Sequence, residues 1–230
     1  MQNHFDLYLD NCKEVLKNLL APFAEIFSIL GNPWISFSLI AGIFVILLGY
    51  CIISKKSSLK TQMQKPKVLT VCALLIALNI VLGYFTLRFS AYLRVGFGFL
   101  TQPIIGMLFG PVVCCVTGIF QDIVSLMLNP TGAYIPAYGL SVGISGIFHG
   151  LILYQKPVKF WRVLLDSLLV VLVGNILLNS IALAPTVASG FAGILPSRIL
   201  KNLLILPIQT VLNYLVLKFV QSHKLFKDFS

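Results

Sequence analysis

Residues 68–87 read VLTVCALLIALNIVLGYFTL, a run without a single charge, bracketed by Lys67 and Arg88. A helix needs about 20 apolar residues to cross the hydrocarbon core of a bilayer. This stretch therefore predicts one complete membrane span. Working outward, the same reading marks seven apolar stretches: Trp34–Ile53, Val68–Leu87, Gly96–Phe109, Val112–Leu128, Tyr138–Leu153, Val163–Leu183 and Leu203–Leu217. Gly96–Phe109, Tyr138–Leu153 and Leu203–Leu217 are short. The last is expected to extend through its flanks, and the others to tilt or to use loop residues at membrane depth. Gly110-Pro111 predicts a tight break between the third and fourth stretches, because proline lacks a backbone donor and suits the start of a new helix.

Composition agrees. Of 230 residues, 58% are hydrophobic and 10% charged, and mean hydropathy is +0.94. Soluble domains are about 25% charged, and disorder requires low hydrophobicity. One polytopic membrane domain follows. The net charge of +10 does not point to nucleic acid, because the basic residues cluster at the ends of apolar runs.

Their placement sets an expected orientation. Residues 54–67 carry Lys55, Lys56, Lys60, Lys65 and Lys67 with no acid, which makes the segment cytoplasmic by the positive-inside rule. Residues 1–33 then lie outside, where Lys13 and Lys17 are outnumbered by Asp6, Asp10, Glu14 and Glu25. Counting spans onward puts Lys156, Lys159 and Arg162 inside, with Lys218, Lys224 and Lys227. The N-terminus is expected outside and the C-terminus in the cytoplasm. Arg88, Arg94, Arg198 and Lys201 break the bias by falling at the outer face. They either snorkel to headgroups or serve a ligand.

The expected organisation is an extracytoplasmic amphipathic segment (1–33), a first transmembrane helix (34–53), a basic cytoplasmic linker (54–67), a membrane domain (68–220) and a cytoplasmic tail (221–230). No cleavable signal peptide is expected, since the start is not basic and apolar sequence begins only at Trp34. Leu16, Leu19, Leu20, Phe23, Phe27 and Leu30 recur at helical spacing, which predicts an interfacial helix.

Missing motifs narrow the chemistry. There is no Gly-x-x-x-x-Gly-Lys-Ser/Thr loop and no His-Glu-x-x-His pair. Cys12, Cys51, Cys72, Cys114 and Cys115 include no Cys-x-x-Cys, and those in spans read as small apolar fillers. No metal or cofactor is expected. His149, beside Gly146 and Gly150, reads as a packing residue.

Asp122 is the most informative ionisable group. It lies about 11 residues past Pro111, hence about 16 Å along a helix rising from the cytoplasmic face. A carboxylate at that depth is expensive and marks a functional site by default. The bland alternative is a structural ion pair, for instance with Arg94. Asp166, one turn after Arg162, is expected in a surface salt bridge. Asn175 and Asn179 share one helix face, and Asn202 and Gln209 lie in the last span; each is either inter-helix glue or a ligand contact. The pairs Gly106/Gly110, Gly139/Gly143 and Gly146/Gly150 predict close backbone approach, and Ala73/Ala77 repeats the spacing.

Arg94-Val-Gly-Phe-Gly-Phe-Leu, then Gly106-Met-Leu-Phe-Gly-Pro111, Asp122 and Pro130-Thr-Gly-Ala-Tyr-Ile-Pro136, together resemble the substrate-binding S components of energy-coupling factor (ECF) vitamin transporters, most closely the folate-specific group. The resemblance covers about Lys67 to Phe219. It implies an all-α polytopic protein with a six-helix bundle, here preceded by one extra N-terminal transmembrane helix. It implies vitamin capture at the outer face, no ATPase of its own, and docking on a shared transmembrane subunit with two ATPase subunits. In the family an Ala-x-x-x-Ala motif on the first core helix meets that subunit, and Ala73-Leu-Leu-Ile-Ala77 matches it.

For a folate ligand, the expected site has Asp122 accepting hydrogen bonds from the pterin, because a carboxylate presents two acceptor oxygens to paired N–H donors. Phe97, Phe99, Tyr134 and Tyr138 are expected to stack on the flat rings. Arg94, Arg198, Lys201 and Arg88 are expected to attract the glutamate tail, and Asn179 and Asn202 to line the pocket. Residues 129–137, with Pro130, Gly132 and Pro136, suit a gate. The rival readings are an S component for riboflavin, biotin or thiamin, a membrane enzyme, and a non-transporting scaffold. Asp122 alone does not make a catalytic cavity.

Overall fold

The computed structural model describes residues 32–53, 66–84, 86–88, 94–128, 135–184 and 190–222. The expected interfacial helix within 1–31, most of the basic linker (54–65), the gate tip 129–134 and the tail beyond 222 lie outside the described residues. The helices are α1 (Pro33–Ile53), α2 (Pro66–Tyr84), α3 (Thr101–Leu128), α4 (Pro136–Leu153), α5 (Phe160–Leu183) and α6 (Gly190–Ser222). Among the described residues, six helical segments are long and apolar enough to cross a membrane.

One of them is bent double. Gly110 has φ 83° and ψ −178°, a conformation only glycine adopts without strain, and Pro111 starts the next helix. Gln102 donates to the side chain of Gln121 at 3.0 Å, although 19 residues of straight helix would hold them about 28 Å apart. The third and fourth apolar stretches are therefore two antiparallel limbs, 101–109 and 111–128. The six-helix core is α2, these two limbs, α4, α5 and α6, with α1 in front of it.

The hairpin is the centre of the bundle: every residue from Thr101 to Cys115 is buried. Lipid is as apolar as leucine, so close packing and polar contacts hold membrane helices together. Here the glycines supply the packing. A Cβ on Gly150 would lie 2.2 Å from the Pro111 backbone, one on Gly146 would lie 2.7 Å from the Cys114 carbonyl, and one on Gly106 2.8 Å from His149 Cβ. Helix α4 thus lies directly on the backbone of both limbs. Against its other side packs α1, with Ile40 and Cys51 fully buried and the Phe44 ring against Gly143.

Two expectations are corrected. The span begun at Val68 ends at Tyr84, not Leu87: Thr86–Arg88 (β1) peels away and pairs antiparallel with Arg94–Gly96 (β2). The ladder satisfies backbone groups beyond the helix end, so the described residues are all-helical apart from this ribbon. Next, Asp166 is not in a surface salt bridge. It is fully buried, and its Oδ2 lies 2.8 Å from Nδ1 of His149, which is itself buried. Arg162 instead donates to the Pro157 carbonyl at 3.2 Å. A carboxylate inside a bundle needs a partner there, and the glycine contact at Gly106 brings His149 to it. His149 is accordingly more than a packing residue. The last span extends through the flanks of Leu203–Leu217, as expected, to Gly190–Ser222, and carries Pro196 and Pro207 within it.

Candidate functional site

The bundle has two ends: one with the ribbon, and one with the Gly110 turn, Tyr154 and the α4–α5 connection. Polar side chains gather toward the ribbon end. The turn of 3₁₀ helix at Phe97–Leu100 follows the ribbon and packs against α2 and α6. It is held by Asn79 of α2, whose Nδ2 donates to the Gly98 carbonyl and to Thr101 Oγ1. This positions Phe97 and Phe99, both half-buried. One residue on, buried Gln102 accepts from Cys114 Sγ at 3.1 Å and donates to Gln121. Asn79, Gln102 and Gln121 were not singled out in the sequence. Their only signal is that they are uncharged polar residues within apolar runs.

Asp122, next to Gln121, is half-buried on the second limb of α3. Among the described residues it has no hydrogen-bond or ion-pair partner. Arg94 stands in β2 as the register partner of Arg88 in β1. Tyr134 lies outside the described residues.

A second group joins α4, α5 and α6. Arg198 donates through Nη1 to the Asn175 carbonyl and through Nη2 to Tyr138 Oη, each at 3.3 Å. Asn179 Nδ2 donates to Asn175 Oδ1 at 3.4 Å, and Asn202 Nδ2 to the Arg198 carbonyl at 2.9 Å. Asn179 Oδ1 is buried without a partner among the described residues. Lys201 is half-buried one turn from Arg198 on α6. Tyr138, Asn179, Arg198 and Asn202 thus form one connected set. Asn175 joins Asn179 to Arg198, accepting from the first through its side chain and from the second through its backbone carbonyl. That segment is unusual: Val170–Leu178 is wound as π-helix inside α5, a widened form frequent at functional sites.

On the outside of the bundle, α2 and the second limb of α3 enclose a groove of about 420 Å³. Exposed Ala73 and Ala77 line it on one side, and Val116, Thr117, Phe120 and Val124 on the other. Its lining is almost wholly apolar. Helix α1 packs on α4 and leaves this groove uncovered.

Comparison with known proteins gives this arrangement a context. The family model described as "ECF transporter, substrate-specific component" matches residues 67–217. The chain is 30% identical over 152 residues to the folate transporter FolT of Clostridium novyi (strain NT), covering 66% of this chain and 88% of that one. It is 30% identical over 165 residues to FolT of Leuconostoc mesenteroides subsp. mesenteroides, covering 69% and 89%. Among solved structures it is similar to FolT bound with folic acid, with TM-score 0.58 and 29% identity over 65% of this chain and 92% of that chain. Helix α1 precedes the matched region. The chain is a multi-pass membrane protein and belongs to the substrate-specific components of ECF transporters.

Proposed function

We propose that this chain captures folate at the extracytoplasmic face and delivers it through an ECF complex made with a shared transmembrane subunit and two ATPase subunits. The observation that carries the proposal is the likeness to FolT bound with folic acid over 92% of that chain. The two FolT relatives, each covered over nearly nine-tenths of its length, point the same way. The chain itself has no nucleotide-binding loop, so energy comes from the partners.

The pocket lies at the ribbon end. Asp122, with no partner among the described residues, accepts from the pterin; Phe97, Phe99, Tyr134 and Tyr138 contact the rings. Asn179 and Asn202 line the wall, and Arg94, Arg198 and Lys201 draw in the anionic tail. The loop 129–137 closes over it. The ribbon end faces outward, because the basic linker 54–67 belongs in the cytoplasm. That puts the N-terminus outside and the C-terminus inside. The groove at Ala73 and Ala77 receives the shared subunit. Its openness, its apolar lining and its match to the family's Ala-x-x-x-Ala motif support that assignment.

Uptake of labelled folate by cells that co-express the chain with the shared subunit and the ATPases tests the proposal. Accumulation is expected only when all subunits are present and ATP is available. Folate accumulation by this chain with an inactive ATPase pair would contradict it.

A further inference from the structure

The end of the bundle with the Gly110 turn holds a polar cluster of its own. His149 of α4, Asp166 and Ser167 of α5, and Thr210 and Asn213 of α6 are each at most 4% exposed. The register of α5 against α6 brings them to one level. The Phe160 ring lies edge-on to Tyr214, with centroids 5.6 Å apart, and four turns on Arg198 meets the Asn175 carbonyl, so the two helices are antiparallel. Asp166 lies about 9 Å along α5 from Phe160, and Thr210 about 6 Å along α6 from Tyr214. Ser167 shares a helix face with Phe160 and Val163, and Thr210, Asn213 and Leu217 share another. Val163 and Leu217 belong to one buried cluster, so these two faces meet.

Asp166 also turns to α4, where its Oδ2 lies 2.8 Å from Nδ1 of His149. Its Oδ1 is buried with no partner among the described residues, and the same holds for Ser167 Oγ and both amide atoms of Asn213. Thr210 Oγ1 donates to the Leu206 carbonyl at 2.8 Å and keeps its acceptor capacity. The unmet groups are thus mainly oxygen lone pairs gathered about one carboxylate. A neutral imidazole donates one N–H to that carboxylate and leaves its charge in place. Among the described residues, no lysine or arginine is paired with it. A buried charge of this kind is costly unless an opposite charge matches it, and oxygen donors suit a hard cation.

We propose that Asp166 Oδ1, Ser167 Oγ, Asn213 Oδ1 and Thr210 Oγ1 form a site for a small monovalent metal cation, sodium or potassium, between α5 and α6. One positive charge balances the one carboxylate. His149 is the positioning residue: it holds Oδ2 and so presents Oδ1 to the ion. A bound cation ties α4, α5 and α6 together at the end away from the ribbon and stabilises the fold by linkage. The site is independent of the folate assignment.

The test is thermal unfolding of the purified full chain in detergent, in sodium, potassium or choline chloride at equal ionic strength and fixed pH. Sodium or potassium is expected to raise the melting temperature by roughly 3–6 °C for each tenfold rise above the binding midpoint, and choline to leave it unchanged. Asp166→Asn keeps an acceptor for His149 and should abolish the rise. Ser167→Ala and Asn213→Leu each remove one oxygen and should move the midpoint to about 10-fold higher concentration; they carry the test if Asp166→Asn fails to fold. Equal melting temperatures in the three salts would overturn the inference. So would a sodium or potassium effect that survives the substitutions unchanged, which would put the cation elsewhere. Melting that follows pH but not salt, with the pH dependence lost in His149→Gln, would assign the counter-charge to the imidazolium and would overturn it as well.

Discussion

At the scale of the residue, the proposed function rests on charges and amides inside the membrane. Asp122 was legible in the sequence, because a lone carboxylate within an apolar run has few cheap explanations. Asp122→Asn removes a charge-assisted acceptor. Folate binding is expected to weaken about 10- to 100-fold, measured by titration; unchanged affinity would refute the assignment. Arg198 was legible as an exception to the charge bias, but its partners were not, since Tyr138, Asn175 and Arg198 are far apart in the chain. The pairing of His149 with Asp166 was hidden for the same reason. Nothing local distinguishes Asp166 from a surface acid one turn after an arginine; only the packing of α4 against α5 buries it. Replacing His149 by Leu strands a buried carboxylate and should cost roughly 3–5 kcal/mol of stability. A melting temperature equal to wild type in detergent would contradict that.

At the scale of the element, spacing was read well and boundaries less well. Gly110-Pro111 announced a break, and it is a full reversal. The pairs Gly106/Gly110 and Gly146/Gly150 announced close approach, and they are the seam between the hairpin and α4. Gly150→Ala is the severest small change available: its Cβ would meet backbone, which cannot swing aside as a side chain can. It should destabilise by at least about 1–3 kcal/mol, read as a lower yield of folded protein and a lower melting temperature; normal thermal stability would mean the seam is looser than described. The end of α2 and the ribbon were missed because Phe85–Leu87 is as apolar as the helix before it. The π-wound turns of α5 were missed because they rest on tertiary contacts at Gly174 and Asn175. The groove wall belongs here as well. Ala73→Trp should leave folate binding intact and block uptake in the assembled complex, since a large ring would fill the groove from the outside. Uptake at wild-type level would sink the docking assignment.

At the scale of the whole molecule, the family core and the extra helix divide the work. Residues 67–217 match the family and contain every proposed contact with ligand and partner. Helix α1 lies against α4, away from the Ala73–Ala77 groove. Deleting residues 1–53 is expected to lower the melting temperature, because Gly143 and its neighbours on α4 lose their cover, while folate affinity is retained. Loss of folate binding by a folded truncated protein would assign α1 to the pocket itself. The most direct test of what the molecule does is equilibrium binding on the full chain, purified alone in detergent, against folate, a reduced folate, riboflavin, thiamin and biotin. Tight binding of the folates and of none of the other vitamins is predicted. Tight binding of another vitamin, or of none by a protein verified as folded, would contradict folate capture.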